Sequence, residues 1–258
     1  MQKNKLAAIA IVGPTSSGKT ALSLKLAKVF NGVIISADSR QIYKNLDIAT
    51  AKIGHKEMQG IKHYLIDAIN IDDSFTVAKY QQMVRKILFD IHNQNQKKNK
   101  KIIPFIVGGT GLYIKAVIDN YNFKKTINQE PLPYEFLQIG IDTPRTGLYA
   151  KINKNVEKMI KNGLIEETKK LIEKKCNFTL PSLSALGYIQ IKNYLDNKIT
   201  LSEAISEIQK LSRNYAKRQL TWFRADKRIH WVKNYQEAKK LVDNFLNQPN
   251  IDQSINYI

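Results

Sequence analysis

The sequence predicts an α/β protein, in which a parallel sheet is flanked by helices and a helical C-terminal part follows. Short apolar runs bounded by helical patterns predict strands at residues 6–12, 33–37, 102–107 and 136–141. Runs that are apolar throughout are typical of parallel strands buried on both faces. From residue 143 onward only helices are predicted. We therefore expect an α/β core over 1–142 and a helical part over 143–258 that completes it.

Apolar residues at helical spacing predict the helices, at 19–30, 76–92, 144–162, 164–174, 184–195 and 200–220. The last of them opens with Thr200-Leu201-Ser202-Glu203, a capping-box signature. A short, proline-containing linker at 122–134 separates the third and fourth predicted strands.

Composition favours one globular unit, since 43% of the 258 residues are hydrophobic. The single cysteine, Cys176, excludes a disulfide framework and leaves no thiolate cluster for a metal. The apolar run at 6–12 is too short for a signal peptide and ends in a glycine motif, so it is interpreted as a strand. No apolar stretch is long enough to span a bilayer. We expect a cytoplasmic protein without membrane contact that acts as a monomer.

The formal net charge of +19 favours a polyanionic partner. The alternative is a general compositional bias without functional meaning, because lysine, isoleucine and asparagine are abundant along the whole chain. The location of the basic residues along the chain is therefore better evidence for such a partner than the net charge.

A glycine-rich motif follows the first predicted strand and leads into the first predicted helix. Its residues are Gly13, Pro14, Thr15, Ser16, Ser17, Gly18, Lys19 and Thr20. In a strand–loop–helix setting, Gly-x4-Gly-Lys-Thr is typical of a phosphate-binding loop. Glycines let successive N–H groups point at one anion, the lysine adds a charge, and the threonine hydroxyl is a typical Mg²⁺ ligand. The motif predicts a P-loop NTPase-like fold that binds a polyphosphate.

Two further polar segments follow predicted strands, and the carboxyl ends of parallel strands are where ligands bind. Asp38 follows the strand at 33–37, whereas Gly108 and Gly109 follow the strand at 102–107. An ATP-hydrolysing machine is expected to carry an acidic residue after such a strand to hold Mg²⁺. The position of Asp38 favours transfer to an acceptor that it activates. Asp38 can equally be a turn cap.

Two isolated residues have open roles. His63 lies beside an apolar run, where a hydrogen-bonded structural histidine is commoner than a catalytic one. Arg145 begins a predicted helix after the strand at 136–141, and it either points back over the phosphates or is an ordinary exposed arginine.

Cations and large rings are concentrated near the end of the last predicted helix. Lys210, Arg213 and Lys217 recur at helical spacing, and Arg218 and Arg224 flank Trp222 and Phe223. Cations match backbone phosphates and exposed rings stack on unpaired bases, so the segment predicts nucleic-acid binding. The alternative is a solvated helix with Trp222 in the core.

Several segments together resemble the tRNA dimethylallyltransferase family, in order and over nearly the whole chain. They are the glycine motif at 13–20, Asp38-Ser39-Arg40-Gln41-Ile42-Tyr43, Asp47-Ile48-Ala49-Thr50-Ala51-Lys52, His63-Tyr64-Leu65-Ile66-Asp67, Val107-Gly108-Gly109-Thr110-Gly111-Leu112-Tyr113, Arg145 with Leu148-Tyr149, Gly187-Tyr188, and Tyr215-Ala216-Lys217-Arg218-Gln219-Leu220-Thr221-Trp222-Phe223-Arg224. The last motif and the Gly-Gly-Thr-Gly-Leu-Tyr motif are far more specific than the phosphate loop.

The resemblance implies transfer of a dimethylallyl group from dimethylallyl diphosphate to N6 of the adenine 3′ to the anticodon of tRNA. It implies that Asp38 accepts the N6 proton, and that Thr15, Lys19, Arg145 and Thr20 with Mg²⁺ bind the diphosphate. It implies contacts with the anticodon stem–loop from Asp38, Ser39, Arg40, Gln41, Thr110, Gly187, Tyr188, Lys217, Arg218, Gln219, Leu220, Thr221, Trp222, Phe223 and Arg224.

The chain departs from the family after Tyr113, where the family carries a long helical insertion that contacts tRNA. Here the short linker at 122–134 stands in its place, so tRNA binding is expected to be weaker or to depend on the C-terminal basic helix. The alternatives are a small-molecule kinase that uses ATP, a prenyltransferase acting on free adenine nucleotides, and an RNA-binding protein that lost the chemistry.

Overall fold

The computed structural model describes residues 5–98, 101–123 and 130–252. Within them, one parallel sheet has the strand order β3-β2-β4-β1-β5-β6. Its six strands are β1 (Leu6–Val12), β2 (Gly32–Ser36), β3 (His63–Tyr64), β4 (Ile103–Gly108), β5 (Tyr134–Ile141) and β6 (Ile229–Val232). The α/β class and the parallel sheet are confirmed.

Eight α-helices accompany the sheet in the described ranges. They are α1 (Lys19–Val29), α2 (Val77–Lys98), α3 (Gly111–Ile118), α4 (Arg145–Lys161), α5 (Leu164–Glu173), α6 (Tyr188–Leu195), α7 (Leu201–Arg224) and α8 (Tyr235–Leu246). A 3₁₀ turn, Pro181–Ser184, precedes α6. None of these helices combines the length and the apolar character that crossing a membrane requires.

Strand β1 lies at the centre of the sheet and sets the position of the site. It pairs with β4 on one side and β5 on the other, with Val12 beside Gly108 and Gly140. On the far side of β4, Ser36 of β2 pairs with Val107. Because all these strands are parallel, the loops that follow β1, β2 and β4 leave the sheet side by side.

Alternate residues of β1 enter two separate cores, as the period of two in a strand requires. Ala8 and Ala10 pack with a large cluster that includes Val84 of α2. Ile9 and Ile11 pack with a second cluster that includes residues of α1 and α8. The sheet is therefore covered on both faces, which explains why its strands are apolar throughout.

Helix α7 confirms the predicted capping box. The Thr200 hydroxyl accepts the N–H of Glu203, and the Glu203 carboxylate accepts the N–H of Thr200. The helix extends beyond the predicted end at 220 to Arg224. The Lys-Arg-Gln-Leu-Thr-Trp-Phe-Arg motif therefore lies on one continuous helix.

The expectation that strands are absent after residue 143 is wrong. Strand β6 pairs in parallel with β5 and closes the edge of the sheet. Its four residues include the exposed His230, so the run lacks the continuous apolar character by which β1 was predicted. Helices α3 and α8 and strand β3 were not predicted from the sequence. The division at 142/143 remains a prediction, and positions 124–129 of the predicted linker lie outside the described residues.

Candidate active site at the carboxyl edge of the sheet

The phosphate loop adopts the backbone conformation that its glycines allow. Gly13 has φ +150° and Gly18, the N-cap of α1, has φ +95°. The Lys19 ammonium donates a hydrogen bond to the Pro14 carbonyl at 2.6 Å. Burial lowers the pKa of Lys19 to about 8, against the opposing effect of the Asp38 carboxylate. The loop therefore holds a lysine whose charge an incoming anion would stabilise.

A cavity of about 720 Å³ opens beside this loop. Its walls come from the phosphate loop, the segments after β2 and β4, and helices α4 and α7. The lining includes Thr15, Lys19, Thr20, Asp38, Gly109 and Gln219. The volume lies in the range usual for small-molecule binding sites. The structure thus brings the three strand-end segments predicted from sequence to one site.

Asp38 combines the two roles that the sequence left open. Its Oδ1 accepts the backbone N–H of Arg40 at 2.8 Å and that of Gln41 at 3.3 Å. This is the turn-capping arrangement. Its Oδ2 accepts no hydrogen bond from the described residues, and the side chain lines the cavity. One oxygen fixes the carboxylate while the other stays available to a ligand.

Tyrosines surround Asp38. Burial, with added repulsion from neighbouring groups that include Asp38, raises the pKa of Tyr113 to about 12 and also raises the pKa values of Tyr80 and Tyr215. These phenols stay protonated at neutral pH. They therefore cannot act as proton acceptors at that pH.

The glycine loop after β4 is packed directly against α7. A Cβ on Gly109 would lie 2.2 Å from the Gln219 amide nitrogen, and a Cβ on Gly111 would lie 2.2 Å from the Trp222 ring. The Gln219 amide donates to the Gly109 carbonyl at 2.9 Å. Glycine is required at both positions by close approach, so the two most specific motifs of the sequence are in contact.

The segment after Asp38 is anchored on both sides. The Thr110 hydroxyl accepts the Ser39 N–H at 3.1 Å, and the Arg40 guanidinium donates to the Ser184 hydroxyl at 2.7 Å. The Gln41 amide donates to the Thr50 carbonyl at 3.1 Å. These hydrogen bonds hold residues 38–41, which the sequence predicts to contact RNA, at the wall of the cavity.

The end of α7 divides into an exposed face and a buried face. Gln219 and Phe223 are buried, and Leu220 is half-buried against α4. Trp222 is 47% exposed, so the alternative that places it in the core is wrong. The exposed residues are Lys217, Arg218, Thr221, Trp222 and Arg224. We call these five residues the α7 basic face.

Four predicted tRNA-contacting positions are buried in the fold: Gln219 and Phe223 of α7, described above, and Gly187 and Tyr188 at the start of α6. Tyr188 is fully buried, and its hydroxyl donates to Glu167 at 2.7 Å. Gly187 precedes it at the N-cap of α6, with φ +125° and the side chain of Leu164 close by. Burial removes the Tyr188 side chain from direct RNA contact, which corrects that expectation.

Arg145 lies at the start of α4 and is exposed. Its Nε donates to the Tyr149 hydroxyl at 3.1 Å, with the guanidinium over the same ring. It is not among the cavity-lining residues. His63 does line the cavity, but its Nδ1 lies 2.8 Å from the Ile61 carbonyl, as the structural interpretation expects.

Glu167 is a site-organising residue that sequence reasoning missed. Its carboxylate accepts the N–H groups of Asp47, Ile48 and Ala49 at 2.9–3.2 Å, besides the tyrosine hydroxyl described above. The loop it holds supplies part of the cavity wall. No local signal could reveal this contact, because at least 118 positions separate the partners.

The oxygen donors around the phosphate loop fit Mg²⁺. Thr20, Ser36 and Asp38 all line the cavity with hydroxyl or carboxylate oxygens, the ligand type this ion prefers. Within the described ranges, no cluster of His, Cys, Asp and Glu side chains could by itself hold a metal.

The sheet, the phosphate loop and the strand-end carboxylate define a P-loop enzyme of the transferase class. The family model described as IPP transferase matches residues 41–131 and 121–226 of the chain. The chain belongs to this family.

Named relatives span nearly the whole chain. A tRNA dimethylallyltransferase of Thermoanaerobacter sp. (strain X514) is 36% identical over 310 aligned residues, covering 92% of this chain and 96% of the relative. That of Bacillus subtilis (strain 168) is 35% identical over 295 residues, covering 90% and 92%. The solved structure of the full-length tRNA isopentenylpyrophosphate transferase of Bacillus halodurans has a TM-score of 0.83 at 34% identity, covering 94% of this chain and 95% of that chain.

The comparisons also show that a relative carries residues which this chain lacks. The alignment with the Thermoanaerobacter relative is 310 residues long, which exceeds the 258 residues of this chain. The relative therefore carries residues that have no counterpart here. The two stretches of the family match overlap at 121–131, at the start of the linker predicted at 122–134, and the shortened middle region remains a prediction.

Proposed function

We propose that the protein transfers a dimethylallyl group from dimethylallyl diphosphate to N6 of the adenine 3′ to the anticodon of tRNA. One observation carries the proposal: Asp38, whose Oδ2 accepts no hydrogen bond from the described residues, lines the same cavity as the phosphate loop. An acceptor amine and an anionic leaving group can therefore occupy it together. Family membership supports the same reaction class.

The reaction exchanges one bond for another at C1 of the donor. The C1–O bond to diphosphate breaks, and a bond from adenine N6 to C1 forms. The N6 lone pair is delocalised into the ring, so N6 is a weak nucleophile. Asp38 orients N6 by accepting a hydrogen bond from it and then accepts its proton as the new bond forms.

The phosphate loop stabilises the departing diphosphate. Its N–H groups and Lys19 lie where negative charge grows as the C1–O bond breaks. Thr15 and Thr20 line the same side of the cavity. Thr20 would hold Mg²⁺ together with the phosphate oxygens, and the ion would supply further positive charge to the leaving group. Arg145 remains a prediction from the resemblance, since it pairs with Tyr149.

The RNA would approach from the side of α7. An adenine within a structured anticodon loop reaches a cavity only when it leaves its stack. The α7 basic face supplies cations for the backbone on either side of that nucleotide and an exposed indole for stacking. Because the long family insertion is absent, this face carries more of the RNA affinity. Action as a monomer in the cytoplasm also remains a prediction.

A transfer assay tests the proposal. Label is followed from dimethylallyl diphosphate, or in parallel from γ-labelled ATP, into a tRNA transcript, into AMP or into no acceptor. We expect prenyl label in tRNA alone. Phosphate transfer without prenyl transfer would identify a kinase, prenylated AMP would identify a nucleotide-prenylating enzyme, and RNA binding without label would identify a binding protein. Any of these three results refutes the proposal.

A further inference from the structure

Four lysine or arginine side chains line the cavity, and two of them donate hydrogen bonds within the protein. Lys19 donates to a carbonyl of the phosphate loop, Arg40 donates to a serine hydroxyl, and Arg218 lies over a tyrosine ring. The fourth is Lys151 of α4. Among the residues that the structure describes, Lys151 forms neither a hydrogen bond nor an ion pair. An anion in this cavity would therefore meet Lys151 with its N–H donors unused, whereas the Arg218 guanidinium also packs on the Tyr215 ring.

Helix α4 holds Lys151 on the side of the phosphate loop. The Asn155 amide, four residues further along, donates to the Ser16 hydroxyl at 2.8 Å. Residues four apart lie on the same helical face, about 6 Å apart along the axis. Lys151 and Asn155 both line the cavity. The face that touches the phosphate loop through Asn155 therefore presents Lys151 to the same space.

The helix that carries this lysine is firmly packed. Ile152 is buried with Ala216 of α7, and Val156 is buried in the larger core. Ile152 and Val156 also line the cavity, next to Lys151 and Asn155. The orientation of the helix is thus fixed by its apolar side, and only the terminal atoms of Lys151 need to move toward a ligand.

We propose that Lys151 binds the diphosphate of the prenyl donor and neutralises charge on it as it leaves. The inference rests on the proposed function, whose donor carries this group. A diphosphate bears more negative charge than Lys19 alone can balance. A lysine on a flexible stem can follow the group as its bond to carbon lengthens. The family resemblance implies that Arg145 of α4 binds the diphosphate. Arg145 does not line the cavity, however, whereas Lys151 of the same helix does.

The proposal can be tested without turnover. The probe is inorganic pyrophosphate with Mg²⁺, titrated by calorimetry into the full-length protein. Lys151→Gln is expected to weaken binding about 10-fold to 100-fold, the size of a charge-assisted hydrogen bond. Lys151→Arg should recover most of the affinity. Lys151 is exposed, so neither change is expected to disturb folding.

Lys154→Gln is the matched control. Lys154 lies on the same helix, is exposed and does not line the cavity. Its replacement changes the net charge equally and should leave the affinity within about twofold, because solvent screens such a charge. If Lys151→Gln and Lys154→Gln weakened pyrophosphate binding equally, the loss would reflect the net charge of the protein, and the proposal would be overturned. Unchanged binding in Lys151→Gln, or a loss confined to Arg145→Gln, would overturn it as well.

A kinetic split separates this inference from the proposed reaction. In the transfer assay, Lys151→Gln should raise KM for dimethylallyl diphosphate and lower kcat, while KM for RNA stays unchanged. If the wild-type protein prenylates no RNA yet binds pyrophosphate in a Lys151-dependent manner, the reaction fails and the anion site stands. Wild-type protein that binds no pyrophosphate refutes the anion site itself.

Discussion

The Gln219 side chain accepts the backbone N–H of Thr15 through Oε1 at 2.8 Å. Its amide nitrogen donates to the Gly109 carbonyl at 2.9 Å. One buried side chain of α7 therefore joins the phosphate loop to the glycine loop after β4. The helix that carries the α7 basic face is in this way coupled to the phosphate loop.

Gln219→Leu should cost about 1–3 kcal/mol of unfolding free energy, because two buried backbone groups lose their partners while side-chain volume is kept. The pyrophosphate affinity should fall in the same variant, since the phosphate loop loses its support. Chemical denaturation and calorimetry measure the two effects. A variant with wild-type values in both would show that the bridge is dispensable.

Gly111→Ala should displace Trp222, because the new Cβ would lie 2.2 Å from the indole ring. We expect about 1–3 kcal/mol of destabilisation from overpacking and weaker RNA binding. Adding Trp222→Ala should relieve the strain but not restore RNA affinity.

Gly147→Ala is its control, because Gly147 is an exposed position of α4 and a Cβ there meets no atom within 4 Å. That change should be neutral or stabilise the helix by up to about 1 kcal/mol. Equal unfolding free energies for the two alanine variants would contradict the contact with Trp222.

Asp38→Asn should leave the fold intact and slow prenyl transfer about 100-fold to 10,000-fold, the usual contribution of a general base. The asparagine oxygen can still accept the N–H groups of Arg40 and Gln41, so the turn is preserved. Single-turnover rates with tRNA measure the loss, and circular dichroism checks the fold. Transfer at the wild-type rate would exclude Asp38 as the proton acceptor.

Pyrophosphate affinity should decrease as pH rises through about 8, the value to which burial lowers the pKa of Lys19. Below that pH the side chain is a cation, and above it the neutral amine attracts an anion less. Bound pyrophosphate stabilises the cation and raises the pKa, so the bound complex loses its proton at higher pH. Titrations on both sides of this pH measure the change.

Lys19→Arg provides the comparison, because arginine stays protonated at every pH used. Its pyrophosphate affinity should show no decrease through this range. A decrease of equal size in both proteins would assign the titration to another group.

Replacing Lys217, Arg218 and Arg224 together by alanine should weaken binding of the anticodon stem–loop and lower its salt slope by about 2, as loss of phosphate contacts requires. Pyrophosphate binding measured in parallel shows whether the anion site is affected. The matched control replaces Lys169, Lys170 and Lys174, which are exposed on or just after α5. Unchanged RNA affinity in the first triple variant would refute the role of the α7 basic face.

The sequence by itself determined the elements whose signals are local. The run at 6–12 is apolar at every position, which is why β1 was predicted residue for residue. The capping box from Thr200 to Glu203 and the glycine motif are likewise complete within a few residues. Motifs in a fixed order also carried the family resemblance. Periodicity could not reveal β6, since its four residues form a strand only because β5 offers an edge.

Only the tertiary structure decided which side chains share the cavity. Gln219 meets Thr15 across 204 positions, and Glu167 holds a loop at least 118 positions away. The sequence predicted both Tyr188 and Trp222 as RNA contacts. The structure shows that Tyr188 is buried and that Trp222 is exposed. The physical reason is that burial and hydrogen-bond partners depend on which elements pack together. Neither quantity is encoded in the spacing of neighbouring residues.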